Sequence, residues 1–254
     1  MNIVILGSGN VATHFAHNFQ NKGHKITQIY SQQKANAQAL AFTVNAASVS
    51  DTAAINLEAD LYIIAVSDQV ISNMVSALPA DLRGVVTHCS GATDMAILAK
   101  FNRYGVIYPP QSISKNKETD FSLIPFCIEG NTYETFNLLF ECIHEMAPKS
   151  IPCDSVQRLA IHIASVFANN FSNALFQISC EILEQHNLPF DLIRPIILET
   201  AEKVQSRLPN EVQTGPAIRN DTNTIKKHLN FIREQDDWKQ IYQLLSQEIV
   251  KRKS

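Results

Sequence analysis

Asn2-Ile3-Val4-Ile5-Leu6-Gly7-Ser8-Gly9-Asn10-Val11-Ala12 is the stretch on which the reading of this chain turns. Residues 3–6 form a short apolar run that stops at two glycines, and Val11, Phe15 and Phe19 then recur at helical spacing until Gly23. Strand, glycine turn and helix, in that order, are what a dinucleotide-binding turn of the form G-x-G-x-x-A requires. Gly7 permits the tight turn, Gly9 lets a pyrophosphate approach the backbone, and small Ala12 lets the helix pack closely. Free N–H groups at the start of the helix then face the phosphates. The competing reading is a glycine turn that serves packing alone.

Working outward, the rhythm is strand and helix in alternation. The pattern predicts strands over 26–30, 42–44, 61–66, 85–88, 105–108, 126–129 and 149–151, and helices over 35–41 and 133–146. Such alternation implies a mostly parallel sheet covered on both faces, a Rossmann-type doubly wound α/β domain over 1–152. After Pro152 the character changes. Asp154-Ser155-Val156-Gln157 reads as a helix N-cap with glutamine three residues on, and nothing strand-like follows. A long helix is expected over 155–186, another over 191–207, and two more capped near Asp221 and Asp237, giving an all-α domain over 153–254.

Composition bounds the function. Of 254 residues 45% are apolar and 18% charged, which excludes a disordered chain, and a net charge of −3 argues against a partner such as nucleic acid or an anionic membrane. Residues 159–180 carry no Asp, Glu, Lys or Arg, yet His162, Asn169, Asn170, Asn173 and Gln177 make the segment too polar for hydrocarbon. It reads as a helix buried on every side of a soluble protein. The start runs directly into a strand without the succession of an export signal, so a cytoplasmic protein is expected. Five cysteines without C-x-x-C spacing fit reduced thiols. His14 and His17 lie three apart but lack an acidic or thiol partner nearby, so no metal site is expected.

The residues around the glycine turn define a cofactor site of Gly7, Ser8, Gly9, Asn10 and Val11. Choice of dinucleotide is read at the end of the second strand, where a carboxylate would hold the adenosine ribose of NAD. Tyr30-Ser31-Gln32-Gln33-Lys34 has none. Ser31 and Gln32 can donate hydrogen bonds to a 2′-phosphate and Lys34 adds charge, which favours NADP over NAD. In an open parallel sheet the ligand lies beyond the carboxyl ends of the strands, so Val66, Ser67 and Ser90 are expected beside the cofactor and Gln111 beside a substrate. Asp68 reads as a helix cap. His88 is either a structural group or a proton donor near the reacting carbon.

The long helix adds Arg158, His162, Ser165, Asn169 and Asn173, spaced by three and four on one face. That stripe faces a cleft, a polar core layer or an interface. In a cleft, Asn169 would orient a substrate, Asn173 would touch it and His162 would supply the proton. In Thr214-Gly215-Pro216-Ala217-Ile218-Arg219-Asn220-Asp221, Arg219 either binds an anionic group or pairs with Asp221.

Taken together, Gly7-Ser8-Gly9-Asn10-Val11-Ala12, His88-Cys89-Ser90-Gly91, Pro109-x-Gln111-Ser112, Asn169-Asn170-Phe171 and Thr214-Gly215-Pro216-Ala217-x-Arg219-x-Asp221-x-x-Thr224 resemble a family of NADP oxidoreductases with an N-terminal Rossmann-like domain and a helical C-terminal domain. These are similar to pyrroline-5-carboxylate reductase and ketopantoate reductase. Asn220 stands where the pattern has glycine, and Gln32 where many NADP-preferring relatives have arginine. β-Hydroxyacid dehydrogenases of the wider superfamily place a lysine on the first long helix, whereas no lysine lies between Lys149 and Lys203 here. The resemblance implies a homodimer through the helical domain, with residues 159–180 buried in it. The expected function is an NADP-dependent oxidoreductase acting on a small carbonyl or imine substrate in a cleft between the domains. The alternative is a non-catalytic sensor or scaffold that binds NADP(H).

Overall fold

In the computed structural model, which describes residues 1–114 and 119–252, the apolar runs become the strands of one sheet. These are β1 (Asn2–Leu6), β2 (Lys25–Tyr30), β3 (Ala47–Val49), β4 (Leu61–Ile64), β5 (Val85–His88), β6 (Tyr104–Tyr108), β7 (Cys127–Gly130) and β8 (Ile151–Pro152). Their spatial order is β3-β2-β1-β4-β5-β6-β7-β8. Every pairing is parallel except β6 with β7. Pro152, which has no N–H to give a neighbour, sits on the edge strand β8.

Side chains alternate between the two faces of the sheet, and each face meets its own helices. Ile3 and Ile5 pack with Phe15 and Phe19 of α1 (Asn10–Asn21) and Leu139 and Ile143 of α4 (Tyr133–His144). Val4, Leu6, Tyr62 and Ile64 pack with Ile71, Met74 and Val75 of α3 (Asp68–Ala77). Both faces are therefore covered, and β1 and β4 read as continuous apolar runs for that reason.

The described chain falls into two compact units, Met1–Asn169 and Asn170–Ser254. The first holds the whole sheet and α5 (Ser155–Ser165), whose start carries the expected capping box between Asp154 and Gln157. The second is all helix: α6 (Ser172–Glu184), α7 (Arg194–Ser206), α8 (Pro209–Val212), α9 (Thr222–Phe231) and α10 (Asp236–Lys251). Asp221 caps α9 by accepting the Thr224 N–H at 3.0 Å. No helix among the described residues is long and apolar enough to cross a membrane.

Four expectations need correction. Residues 42–44 are no strand: α2 (Lys34–Thr43) runs through its alanine-rich sequence to Thr43, Asn45 closes it at φ +50°, and the strand follows at Ala47–Val49. The strand expected over 149–151 begins only at Ile151, because Ser150 is held in a turn on the Ala147 carbonyl. The last helix is capped by Gln235, with Asp237 inside its first turn. The long helix is interrupted by a π-helical segment at Val166–Phe171, and within the chain it is not buried all round, since Leu159 is 41% and Ile163 49% exposed.

Arg158 is the buried member of the predicted stripe, only 1% exposed. Its Nε donates to the Ser90 carbonyl at 3.1 Å, and Nη2 donates to the Thr93 carbonyl at 2.6 Å and to Ser155 Oγ at 3.1 Å. Nη1 pairs with Glu129 of β7. A buried guanidinium persists only when its donors and charge are matched, and here one side chain ties α5 to β7 and to the loop after β5. Arg158→Ala should therefore lower the unfolding free energy by about 3 kcal/mol, the usual cost of orphaning a buried partner. Urea denaturation checks this, and a change under about 0.5 kcal/mol, typical of a surface site, would contradict it.

Candidate functional site

The turn after β1 holds its two glycines for different reasons. Gly7 has φ +141°, donates its N–H to the Tyr30 carbonyl at 2.8 Å, and a Cβ there would lie 2.3 Å from the Ala65 carbonyl oxygen. It is wedged between the ends of β2 and β4. Gly9 caps α1 in an extended conformation, and among the described residues a Cβ on it would meet nothing within 4 Å. No side chain among the described residues caps the helix, so its first N–H groups are left for a ligand. Ala12 is fully buried against the core.

A cleft of about 580 Å³ opens in front of this turn. Of the expected cofactor residues, Gly7, Ser8, Gly9, Ser31, Gln32, Val66 and Ser67 line it. Ser8 Oγ donates to Ser31 Oγ at 3.0 Å, which closes the gap between the glycine turn and the end of β2. Asn10 and Val11 lie on α1 outside the lining; the Asn10 amide holds the Ile113 carbonyl at 2.9 Å, and Val11 packs toward the core. Lys34 is exposed at the start of α2, a helix with no side-chain cap and no acidic residue in its first turn. Sequence reasoning missed the far wall, formed by Val70, Asn73, Met74 and Ala77 of α3. Spacings of three and four from Val70 were the signal available.

A second cluster forms at the carboxyl ends of β5 and β6. His88 is wholly buried, and its Nδ1 accepts the Ser90 N–H at 3.2 Å, which puts the ring proton on Nε2. Nε2 has no partner. Burial, and then the Arg158 charge, lower its pKa to about 4, so the ring is neutral at ordinary pH. Ser90 braces the following loop: its Oγ accepts the Ala92 and Thr93 N–H groups at 3.1 and 2.9 Å and its carbonyl accepts Arg158. Neither His88 nor Ser90 lines the cleft.

His162, one helical turn beyond Arg158, is half-buried with Nδ1 3.1 Å from the Tyr108 hydroxyl. Gly91 makes room for that pair, because a Cβ there would lie 2.7 Å from Tyr108 Cζ and 2.8 Å from His162 Cγ. The structure thus joins His162 to Tyr108 and Gly91, a grouping the helical stripe alone did not show. Asn169 is exposed within the π-helical segment, whose wider turn breaks the spacing assumed for the stripe. Gln111 is exposed, its Oε1 accepting the Ser112 N–H at 3.1 Å. Asp68 is the first residue of α3, one after the cap position that Ser67 occupies.

Two expected residues belong to the second unit. Asn173 lines a cavity of about 610 Å³ formed within it by residues of α6 and α7. Arg219 is exposed and makes no ion pair within 4 Å among the described residues, so the alternative of a close Arg219–Asp221 pair is not realised. The Thr224 hydroxyl and N–H, more than the Arg219 charge, hold the Asp221 carboxyl below its usual range. His14 and His17 turn to separate partners, the Ser114 carbonyl at 2.9 Å and the Thr43 hydroxyl at 3.4 Å.

The matches to known proteins divide the chain elsewhere, one lying within the first unit and the other beginning just ahead of β7 and running on into the second. Residues 2–87 match a family described as NADP oxidoreductase coenzyme F420-dependent, and residues 124–249 match a domain of unknown function, DUF2520. Among solved structures, a "putative NADP oxidoreductase" from Bacteroides fragilis is 36% identical, with 98% of each chain covered and a TM-score of 0.87. A reductive aminase from Aspergillus terreus, in complex with NADPH and ethyl-5-oxohexanoate, is 15% identical over 97% of this chain and 94% of its own, with a TM-score of 0.71. A 1-pyrroline-5-carboxylate reductase from Streptococcus pyogenes is 12% identical over 100% of this chain and 98% of its own, with a TM-score of 0.65. The last two share the fold. No curated protein matches the chain in sequence.

Two predictions follow from this geometry. Gly9→Ala should fold with its unfolding free energy within about 0.5 kcal/mol of the native chain's, after allowing for the entropy of glycine, and lose dinucleotide binding. Gly7→Ala should lose stability as well, since it needs both a left-handed backbone and space that Ala65 occupies; equal stability of the two variants in urea would contradict the distinction. Second, His88 takes up a proton in the unfolded chain near pH 6.5 but in the folded chain only near pH 4. Between those values the unfolded state binds more protons, so this contribution is full above pH 6.5 and is lost as pH falls toward 4. His88→Asn should flatten that part of the stability–pH curve, and an unchanged slope would contradict the assignment.

Proposed function

The chain belongs to a family of NADP oxidoreductases that joins a dinucleotide-binding half to a DUF2520 domain, and on that premise we propose that it transfers a hydride between the nicotinamide of NADP and a small carbonyl or imine compound. The observation that carries this reading is the open space at Gly9: nothing among the described residues calls for glycine there, whereas a phosphate approaching the N-terminus of α1 does. The absence of any carboxylate at the end of β2 supports NADP over NAD. Ser31 and Gln32 border the cleft, and the uncapped start of α2 at Gln33 and Lys34 offers N–H groups and positive charge to a 2′-phosphate. The names of the fold relatives, a reductive aminase and a pyrroline-carboxylate reductase, support the carbonyl or imine class.

Bound NADPH supplies the hydride. The chain's own residues do the rest. Gly7, Gly9 and the first N–H groups of α1 hold the pyrophosphate, and Val66 and Ser67 line its path from the end of β4. His162, the histidine of the strand-end cluster that solvent can reach, gives a proton to the oxygen or nitrogen of the reduced bond. His88 holds the loop after β5 in place from its closed pocket. Asn169 orients the substrate, and Gln111 is a candidate to bind it. The same reading takes the protein as a cytoplasmic homodimer through its helical region, where exposed Leu159 and Ile163 stand one turn apart on α5.

Titration with NADPH and separately with NADH, followed by nicotinamide fluorescence, tests the cofactor assignment. NADPH should bind at least ~10-fold more tightly, about 1.4 kcal/mol, and Gln32→Asp should remove the preference by placing a carboxylate against the 2′-phosphate. Binding of neither cofactor would overturn the oxidoreductase reading. Tight binding without turnover of any carbonyl or imine would instead favour a nucleotide-binding sensor.

A further inference from the structure

The segment that leaves β6, Pro109 to Ser114, belongs to no strand or helix, and α1 holds its far end. Pro109 and Pro110 have fixed φ angles and no N–H, so they set the direction in which the chain departs without fastening it to a neighbour. The next two amides turn inward on the segment, Gln111 N–H donating to the Pro109 carbonyl at 2.8 Å and Ser112 N–H to Gln111 Oε1 at 3.1 Å. Two side chains of α1 then take the carbonyls that follow. Asn10 Nδ2 donates to the Ile113 carbonyl at 2.9 Å, and His14 Nε2 to the Ser114 carbonyl at 2.9 Å. A carbonyl can only accept, so Nε2 carries the proton. Asn10 and His14 stand four apart on one helix and share a face, so consecutive carbonyls of the segment meet consecutive turns of α1. His14 is itself held, since it is 9% exposed and its ring stacks on Phe121 at 6.4 Å, which in turn meets Phe15 edge-on at 5.6 Å.

Asn10 is also the first residue of α1. Its backbone N–H therefore belongs to the group that has no intrahelical partner, while its side chain reaches away to Ile113. We propose that Asn10 and His14 are positioning residues that hold Pro109–Ser114 against α1, and that Asn10 couples this segment to an anion at the start of the helix. A phosphate accepting from the Asn10 N–H fixes the backbone of that residue, and with it the direction of the amide that holds Ile113. The held amide returns the effect, because linkage between two sites is reciprocal. Gln111 and Ser112 stand exposed on the segment, so a single turn of α1 sets both the phosphate and the polar groups that follow β6. The identity of the anion as the pyrophosphate of NADP rests on the function proposed above, whereas the hold on the segment does not.

The test uses the full chain labelled with nitrogen-15, and amide relaxation is measured first without cofactor. Ile113 and Ser114 should have the order parameters of rigid backbone, about 0.85, and should fall below about 0.6 in Asn10→Ala and in His14→Phe. The second variant keeps a ring against Phe121 and loses only the donor. His14→Gln, which restores a side-chain N–H, should return toward the native value. Titration of the same proteins with NADPH then reads the coupling. Both variants that release the segment should bind NADPH about fivefold more weakly than the native chain, the low end of a coupling between two sites. Order parameters unchanged in both variants would overturn the positioning role, and a released segment with native NADPH affinity would overturn the coupling. If His14→Phe does not fold, Asn10→Ala decides both. Failure of the native chain to bind NADPH would overturn the cofactor reading and the coupling together, while the order parameters measured without cofactor still decide the hold on the segment.

Discussion

A guanidinium that solvent scarcely touches holds the working end of this protein in register. Arg158 enters the interior between the loop after β5 and the end of β7, where Glu129, two backbone carbonyls and the Ser155 hydroxyl answer its charge and its donors. Such a group is costly to bury and more costly to leave half-matched, so its partners must be placed together or not at all. The consequence reaches one helical turn further. With α5 locked at Arg158, His162 arrives against Tyr108 at the end of β6, and Gly91 supplies the space between the strand ends that lets the rings meet. The position of the candidate proton donor thus depends on a buried ion pair one helical turn away.

The glycine turn shows the complementary case, in which position is set by what is missing. Gly7 answers the protein, because its backbone conformation and the nearness of Ala65 both exclude a side chain. Gly9 answers nothing among the described residues and leaves the start of α1 without a side-chain cap from them. Side by side, one glycine builds the turn and the other keeps it accessible. The cleft continues from there past the paired hydroxyls of Ser8 and Ser31 to the wall formed by α3, so a long ligand has a continuous path along the carboxyl edge of the sheet.

Much of this was legible in the sequence. β5 and the starts of α4 and α5 fall where alternation and capping put them, because a buried parallel strand is an unbroken apolar run and a cap is a local pattern. The overrun of α2 was less readable, since Phe42-Thr43-Val44 has strand-favouring residues that the preceding alanines and the turn at Asn45 override. For the site, the glycine turn and Ser31 were readable because their chemistry is contiguous in the chain. Arg158 was read as one of a polar stripe, yet its burial depends on Glu129 and on carbonyls dozens of residues away. The partnership of Tyr108 with His162 crosses 54 positions, and a helical stripe read at 3.6 residues per turn misplaces whatever lies beyond the π-helical segment. Ser90, expected at the cofactor, has its hydroxyl and its carbonyl committed to bracing a loop.

On the proposed function, the N-terminus of α1 receives the pyrophosphate of NADP while the end of β2 receives its 2′-phosphate. A crystal structure of the protein grown with NADP tests it most directly. The account predicts pyrophosphate oxygens within hydrogen-bond distance of the backbone N–H groups that open α1, the space before Gly9 filled, and the 2′-phosphate against Ser31 and Gln32. A dinucleotide seated elsewhere, or a 2′-phosphate turned away from those side chains, would contradict it.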